Sequence, residues 1–146
     1  MIRITDALVV EHRLLLGVFE QIENILPEIT TTGEAERFAK MVKELLNRHA
    51  DVEDNLVYVT LDHALDFQGK LNHLFQEHRE VDFCFDNVPS AEDLPHARTL
   101  LKRALKASRE HFLREERVIF PLIEQVLTNE TLIELGYLWE QKQMAS

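Results

Sequence analysis

Apolar residues recur along this chain at helical spacing rather than in the alternation of strands. A first stripe of Leu8, Val9, Leu15, Leu16, Phe19, Ile22 and Leu26 predicts a helix that Thr5 or Asp6 can cap and Pro27 ends. Thr30-Thr31-Thr32-Gly33 reads as a loop. A second helix is predicted over about residues 34–63, carried by Phe38, Met41, Val42, Leu45, Leu46, Val52 and Leu56. A turn through Gln68-Gly69 follows. A third helix, from about Lys70 to Asn87, gathers Leu71, Leu74, Phe75, Val81 and Phe85 on one side. Val88-Pro89-Ser90 breaks it, and Ser90 with Asp93 resembles a capping box for the next. The fourth helix carries Leu101, Ala104, Leu105, Ser108, Phe112, Val118, Ile119 and Leu122. Pro121 predicts a kink there, because its ring meets the carbonyl of Arg117 and its nitrogen has no proton to give. Thr128 can cap a short last helix with Leu132, Leu135, Leu138 and Trp139.

Four long helices on short connections predict an all-α protein, an up-down-up-down four-helix bundle over about residues 5–127. A short extra C-terminal helix over about residues 129–143 completes a single domain, 1–146. Pro and Gly interrupt every stripe, which excludes one long coiled coil.

Composition narrows the function. A chain of 146 residues suits one core, and a 45% apolar share excludes a disordered chain. The net charge of −10 argues against a nucleic-acid backbone as partner, which needs clustered Lys and Arg. No apolar run approaches the roughly 18–20 residues of a membrane span. The first residues, Met1 to Asp6, do not read as a secretory leader. The one cysteine, Cys84, excludes an intramolecular disulfide framework. These features predict a cytoplasmic protein with no nucleic-acid or membrane partner, as monomer or homodimer. Seven histidines then need an account.

Four of them lie on the apolar stripes and belong to an internal repeat. Glu11-His12-Arg13 recurs as Glu77-His78-Arg79, each His followed seven residues later by Phe, at Phe19 and Phe85. His49-x-x-x-Glu53-Asp54 recurs as His111-x-x-x-Glu115-Glu116. Residues four apart sit about one turn apart on the same helix face, so each His and Glu can reach one site. Two such hairpins packed about a pseudo-twofold axis place four His and two Glu at the bundle's centre. A Glu buried on an apolar face is costly unless paired or bound to a cation, and no Lys or Arg shares these stripes. Six side chains exceed one tetrahedral site and suit two metals, with carboxylates and imidazoles fitting iron or manganese. A buried His–Glu hydrogen-bond network is the alternative.

The set His12, His49-x-x-x-Glu53, His78, His111-x-x-x-Glu115, with the run His111-Phe-Leu-Arg-Glu-Glu-Arg-Val-Ile-Phe-Pro-Leu, resembles the hemerythrin-like, or HHE cation-binding, family over roughly residues 5–125. The resemblance implies a bundle around two non-haem iron ions, bridged by Glu53 and Glu115 and held terminally by His12, His49, His78 and His111. Zinc or manganese could take the same ligands. It implies chemistry with a small oxidant (dioxygen, peroxide or nitric oxide), or iron storage, sensing or repair. Oxygen-carrying hemerythrins have a fifth His where this chain has Leu74, which moves the reading away from an oxygen carrier. The cysteine-bearing N-terminal domain of iron-centre repair proteins is not in this sequence, which weighs against repair.

Leu16, Phe19, Leu45, Leu56, Leu74, Phe75, Phe112 and Ile119 are expected to line the site as a dry wall. His73 and Glu77 are expected as a solvated outer pair and Asp82 as a surface acid; Asp54 and Glu116 are expected at the surface, with a hydrogen bond to a ligand His of the opposite hairpin as the alternative. Tyr58, the repeat counterpart of Phe120, is expected to pack.

Overall fold

Each predicted stripe folds as a helix, and the ends show what selects them. A computed structural model describes residues 1–65 and 71–145. The predicted turn at Gln68-Gly69 and helix start at Lys70 lie outside those residues.

Helix α1 spans Ile4–Ile25, and Pro27 follows in a 3₁₀ turn. Arg3 holds its N-cap position without a side-chain cap, so neither Thr5 nor Asp6 serves there. Thr5 instead donates to Glu124 Oε1 at 2.7 Å. Helix α2, Thr32–Val52, is capped by Thr31, whose hydroxyl accepts from the Glu34 N–H. Its rod continues through a π-helical turn at Glu53–Tyr58 into α3, Val59–Leu65. Helix α4 spans Asn72–Asp86. Helix α5, Leu94–Arg114, is capped by Asp93 alone, with Pro95 in its first turn; Ser90 ends a separate 3₁₀ turn. A second π turn, Glu115–Ile119, leads into α6, Phe120–Val126. Helix α7, Asn129–Ala145, begins behind Thr128, whose hydroxyl accepts from the Thr131 N–H at 3.1 Å.

The two π turns correct the sequence reading. A wide turn holds an extra residue, so the buried stripe slips by about one position beyond it. Val57 and Ile123 are fully buried, while Leu56 and Leu122 are only partly so. Val118, expected inside, is 57% exposed. Pro121 is not required for such a turn. It sits in the first turn of α6, and an equivalent π turn forms at Glu53–Tyr58 with no proline.

The four rods make an all-α bundle with two hydrophobic cores. One joins Leu15, Phe19, Ile22, Val42, Leu46, Phe85, Leu101 and Phe112. The other joins Ile4, Leu8, Val57, Tyr58, Leu61, Leu74, Ile119 and Ile123. Ile4, at the start of α1, and Leu61, near the end of α3, belong to the same core, as antiparallel rods require. Between the cores lies a layer of buried His12, His49, Glu53, His111 and Glu115. Helix α7 packs along α1, and Gly136 lies so close to the Ile2 carbonyl that a Cβ there would sit 2.1 Å from its oxygen. Among the described residues no helix is long and apolar enough to cross a membrane.

Candidate metal centre

The polar layer is built by the repeat. Helix α1 brings His12, α2 brings His49, and the first π turn opens on Glu53. The second hairpin brings His78 on α4, His111 on α5, and Glu115 at the opening of the second π turn. All six converge in two groups that share both carboxylates. His12, His49, Glu53 and Glu115 form one, and Glu53, His78, His111 and Glu115 the other, with donor atoms within 4.8 Å of one another in each. His49 Nε2 lies 2.9 Å and His78 Nε2 3.7 Å from Glu53 Oε1, while His12 and His111 Nε2 each lie 3.3 Å from Glu115 Oε1.

The outer nitrogens follow a second rule. His12 Nδ1 donates to Glu116 at 3.1 Å, and His78 Nδ1 to Asp54 at 3.0 Å. His49 Nδ1 donates to Glu11 at 3.2 Å, and His111 Nδ1 to Glu77 at 2.9 Å. So the acid after each central Glu holds the first His of the other hairpin. The acid before each first His holds the second His of its own. Asp54 and Glu116 thus take the second of their two expected roles, a bond to a His of the opposite hairpin, and Glu77, beyond its expected outer place, holds His111 and meets Arg114 at 2.8 Å. Asp82 remains at the rim, where Asn47 donates to it at 2.9 Å.

A carboxylate on Nδ1 fixes the proton there and leaves Nε2 as a lone pair facing inward. The inward face is then all acceptors, and His12 and His49 Nε2 lie only 3.0 Å apart. By hydrogen-bond geometry His78 Nε2, His111 Nε2, Glu53 Oε1 and Glu115 Oε1 have no partner, though they are buried. Such a site needs positive charge. Without a metal, protons supply it. Burial works against the charged imidazoles, yet Glu53 and Glu11 hold His49 at about 10, and Glu115, Glu53 and Glu77 hold His111 at about 9. Burial and the facing Glu115 raise Glu53; Glu115 itself is lowered, the hydrogen bonds from Glu53, His111 and His12 outweighing its burial. The donor set therefore fits two cations sharing two carboxylates.

Tyr58 is the functional residue that sequence reading left to packing. Its hydroxyl donates to Glu53 Oε2 at 3.1 Å and also to Glu115 Oε2. Residues five apart point about 140° apart on an α-helix, and the π turn brings Tyr58 back toward Glu53. Burial, then the two carboxylates, raises its phenol well above the ordinary value.

A cavity of about 150 Å³ opens beside the centre between α2, α4 and α5, touching His49, Glu53, His78 and His111. Of the eight apolar residues expected to line the site, it takes Phe75 and Phe112, joined by Leu46 and Val81. Leu16 lines a groove on another face, Leu45 a third opening. Phe19 belongs to one core, and Leu56, Leu74 and Ile119 to the other. Phe112 also seals His12, its ring stacked at 4.1 Å. His63, His73 and His96 stand outside the two groups.

A helical bundle with paired histidines around two shared carboxylates defines a class of cation-binding bundle proteins. The chain matches the hemerythrin HHE cation-binding domain over residues 3–123, and it belongs to that family. No curated protein and no solved structure matches it. Family membership implies metal binding, with iron the expected metal.

Proposed function

We propose that this chain is a non-haem di-iron protein that binds or reduces a small oxidant: dioxygen, peroxide or nitric oxide. The observation that carries the reading is the sharing of Glu53 and Glu115 by two otherwise separate histidine pairs. Glu53 and Glu115 would bridge, His12 with His49 would hold one iron, and His78 with His111 the other. Two adjacent irons, if held by these six side chains, would supply electrons and a binding place for such a molecule. The protein's part is to fix that geometry. Glu11, Asp54, Glu77 and Glu116 set each imidazole's tautomer and aim. Tyr58 steadies both carboxylates and holds a proton beside them. Leu46, Phe75, Val81 and Phe112 form the apolar part of the cavity wall.

The test is metal content with an optical spectrum, on protein made in iron-supplemented medium. About two irons per chain are expected, falling below one when Glu53 and Glu115 become Gln. Unchanged iron in that double variant would overturn the ligand assignment. Turnover of peroxide or nitric oxide would mark an enzyme, and reversible binding without turnover a carrier, sensor or store.

A further inference from the structure

The repeat that duplicates the ligands does not duplicate what surrounds them. Aligning His12 with His78 and His49 with His111 pairs Leu16 with Asp82, Asn47 with Arg109, Ala50 with Phe112, and Asp51 with Leu113. Asn47, Ala50, Asp51 and Asp82 all lie in the wall of the cavity beside the centre. Their counterparts Leu16, Arg109, Phe112 and Leu113 all line one groove on another face. These two openings are thus the same place in the two halves of the fold, with different linings.

One opening is acidic. Asp51, Asp54 and Asp82 border it, against one cation, Arg79. The other has two leucines, with Glu20, Glu116 and Arg109; there Glu116 is held by His12 and Arg109 is paired with Glu23. They differ in depth as well. The Phe112 ring stands between the second opening and His12, on which it stacks, while Ala50 has only a methyl group at the equivalent position. The acidic opening therefore runs inward to His111 and Glu53, which are 4% and 0% exposed and whose Nε2 and Oε1 lack hydrogen-bond partners.

We propose that this cavity is the route by which divalent cations reach the centre, drawn in by Asp51 and Asp82 at its mouth. The inference rests on the metal-site reading above. A cleft lined by one sign of charge between low-dielectric walls concentrates counter-ions and speeds their arrival. The same field repels anions and leaves neutral dioxygen, peroxide and nitric oxide free to pass. Asp54 has a separate duty, since it holds His78.

The experiment follows uptake of ferrous ion by the full chain after metal removal, by stopped flow at low and high salt. Asp51→Asn with Asp82→Asn is expected to slow uptake about tenfold at low salt, with the gap closing at high salt and the final metal content unchanged. Ala50→Phe is expected to slow it at both salts, and Leu113→Asp on the opposite groove to leave it unchanged. Uptake at the original rate in the double Asn variant would overturn the route, and so would acceleration by Leu113→Asp. If Ala50→Phe fails to fold, the Asn pair, at the cavity's rim, decides alone. Failure of the original protein to bind any metal would overturn the metal-site reading itself, a separate result.

Discussion

Tyr58 gives its hydroxyl proton to Glu53, five residues earlier in the same rod, across 3.1 Å. That contact exists because the helix widens between them. It also reaches Glu115, so one phenol ties together the two central carboxylates. A hydrogen bond to a charged group contributes about 1.5–3 kcal/mol, and its loss leaves a buried carboxylate less satisfied. Tyr58→Phe should therefore lower the stability of the metal-free protein by about 2 kcal/mol. Metal on the carboxylates should shrink that loss. Chemical denaturation with and without metal reads both; an equal loss in the two states would contradict this role.

The outer acids make a second prediction. Removing the partner of a ligand's far nitrogen commonly costs 10–100-fold in metal affinity. Asp54→Asn and Glu116→Gln act on equivalent bonds, to His78 and His12. Each is expected to weaken metal binding at least about tenfold while leaving the helical circular-dichroism signal intact. Competition against a chelator of known affinity measures it.

Acidity gives a third. His49 sits at about 10 and His111 at about 9 in the metal-free protein, against about 6.5 in an unfolded chain. Folded values raised in this way stabilise fully below about 6.5, and the benefit disappears as pH climbs through 9 to 10. The metal-free melting temperature should fall across that range. Glu115, shifted the other way, acts only near and below the carboxylate range. Metal must displace the imidazole protons, so affinity should climb over the interval in which metal-free stability declines. Melts from pH 6 to 10, with and without chelator, test the crossing; a flat metal-free curve would refute it.

Gly136 gives the fourth. A Cβ there would meet the Ile2 carbonyl oxygen at 2.1 Å, and backbone cannot step aside cheaply. Gly136→Ala gains helix propensity of about 1 kcal/mol but forces α7 away from the start of α1. Net destabilisation is expected, with faster amide exchange in α7 and at residues 4–8, and metal content unchanged.

The central cluster of His and Glu was legible because helical spacing and the repeat both pointed to it. His49 and Glu53 are one turn apart, their copies at His111 and Glu115 match, and all four lie on apolar stripes. The outer acids were less legible. Asp54 and Glu116 fall about 100° off those stripes, where either solvent or an imidazole of the neighbouring hairpin can meet them, and tertiary packing decides for the imidazole. Tyr58 was hidden by its own copy, since Phe120 at the matching place has no hydroxyl. Neither π turn has a mark in the residues. That is why the predicted stripes hold up to the glutamates and slip beyond them, as Val118 shows. Asp93 rather than Ser90 as a cap is a smaller miss of the same kind, a choice between adjacent donors settled by backbone angles.

The placement of the centre between two hydrophobic cores has a mechanical meaning. Each core is small, and neither includes the His12, His49, Glu53, His111 and Glu115 layer that separates them. Across that layer the ends of the bundle are joined by helices and by whatever occupies the space among those side chains. A pair of cations would couple the two ends into one cooperative unit. Protons alone would leave a seam along which one end can loosen before the other. The site is thus also the fold's joint, and metal occupancy would be readable as the difference between melting once and melting in two halves.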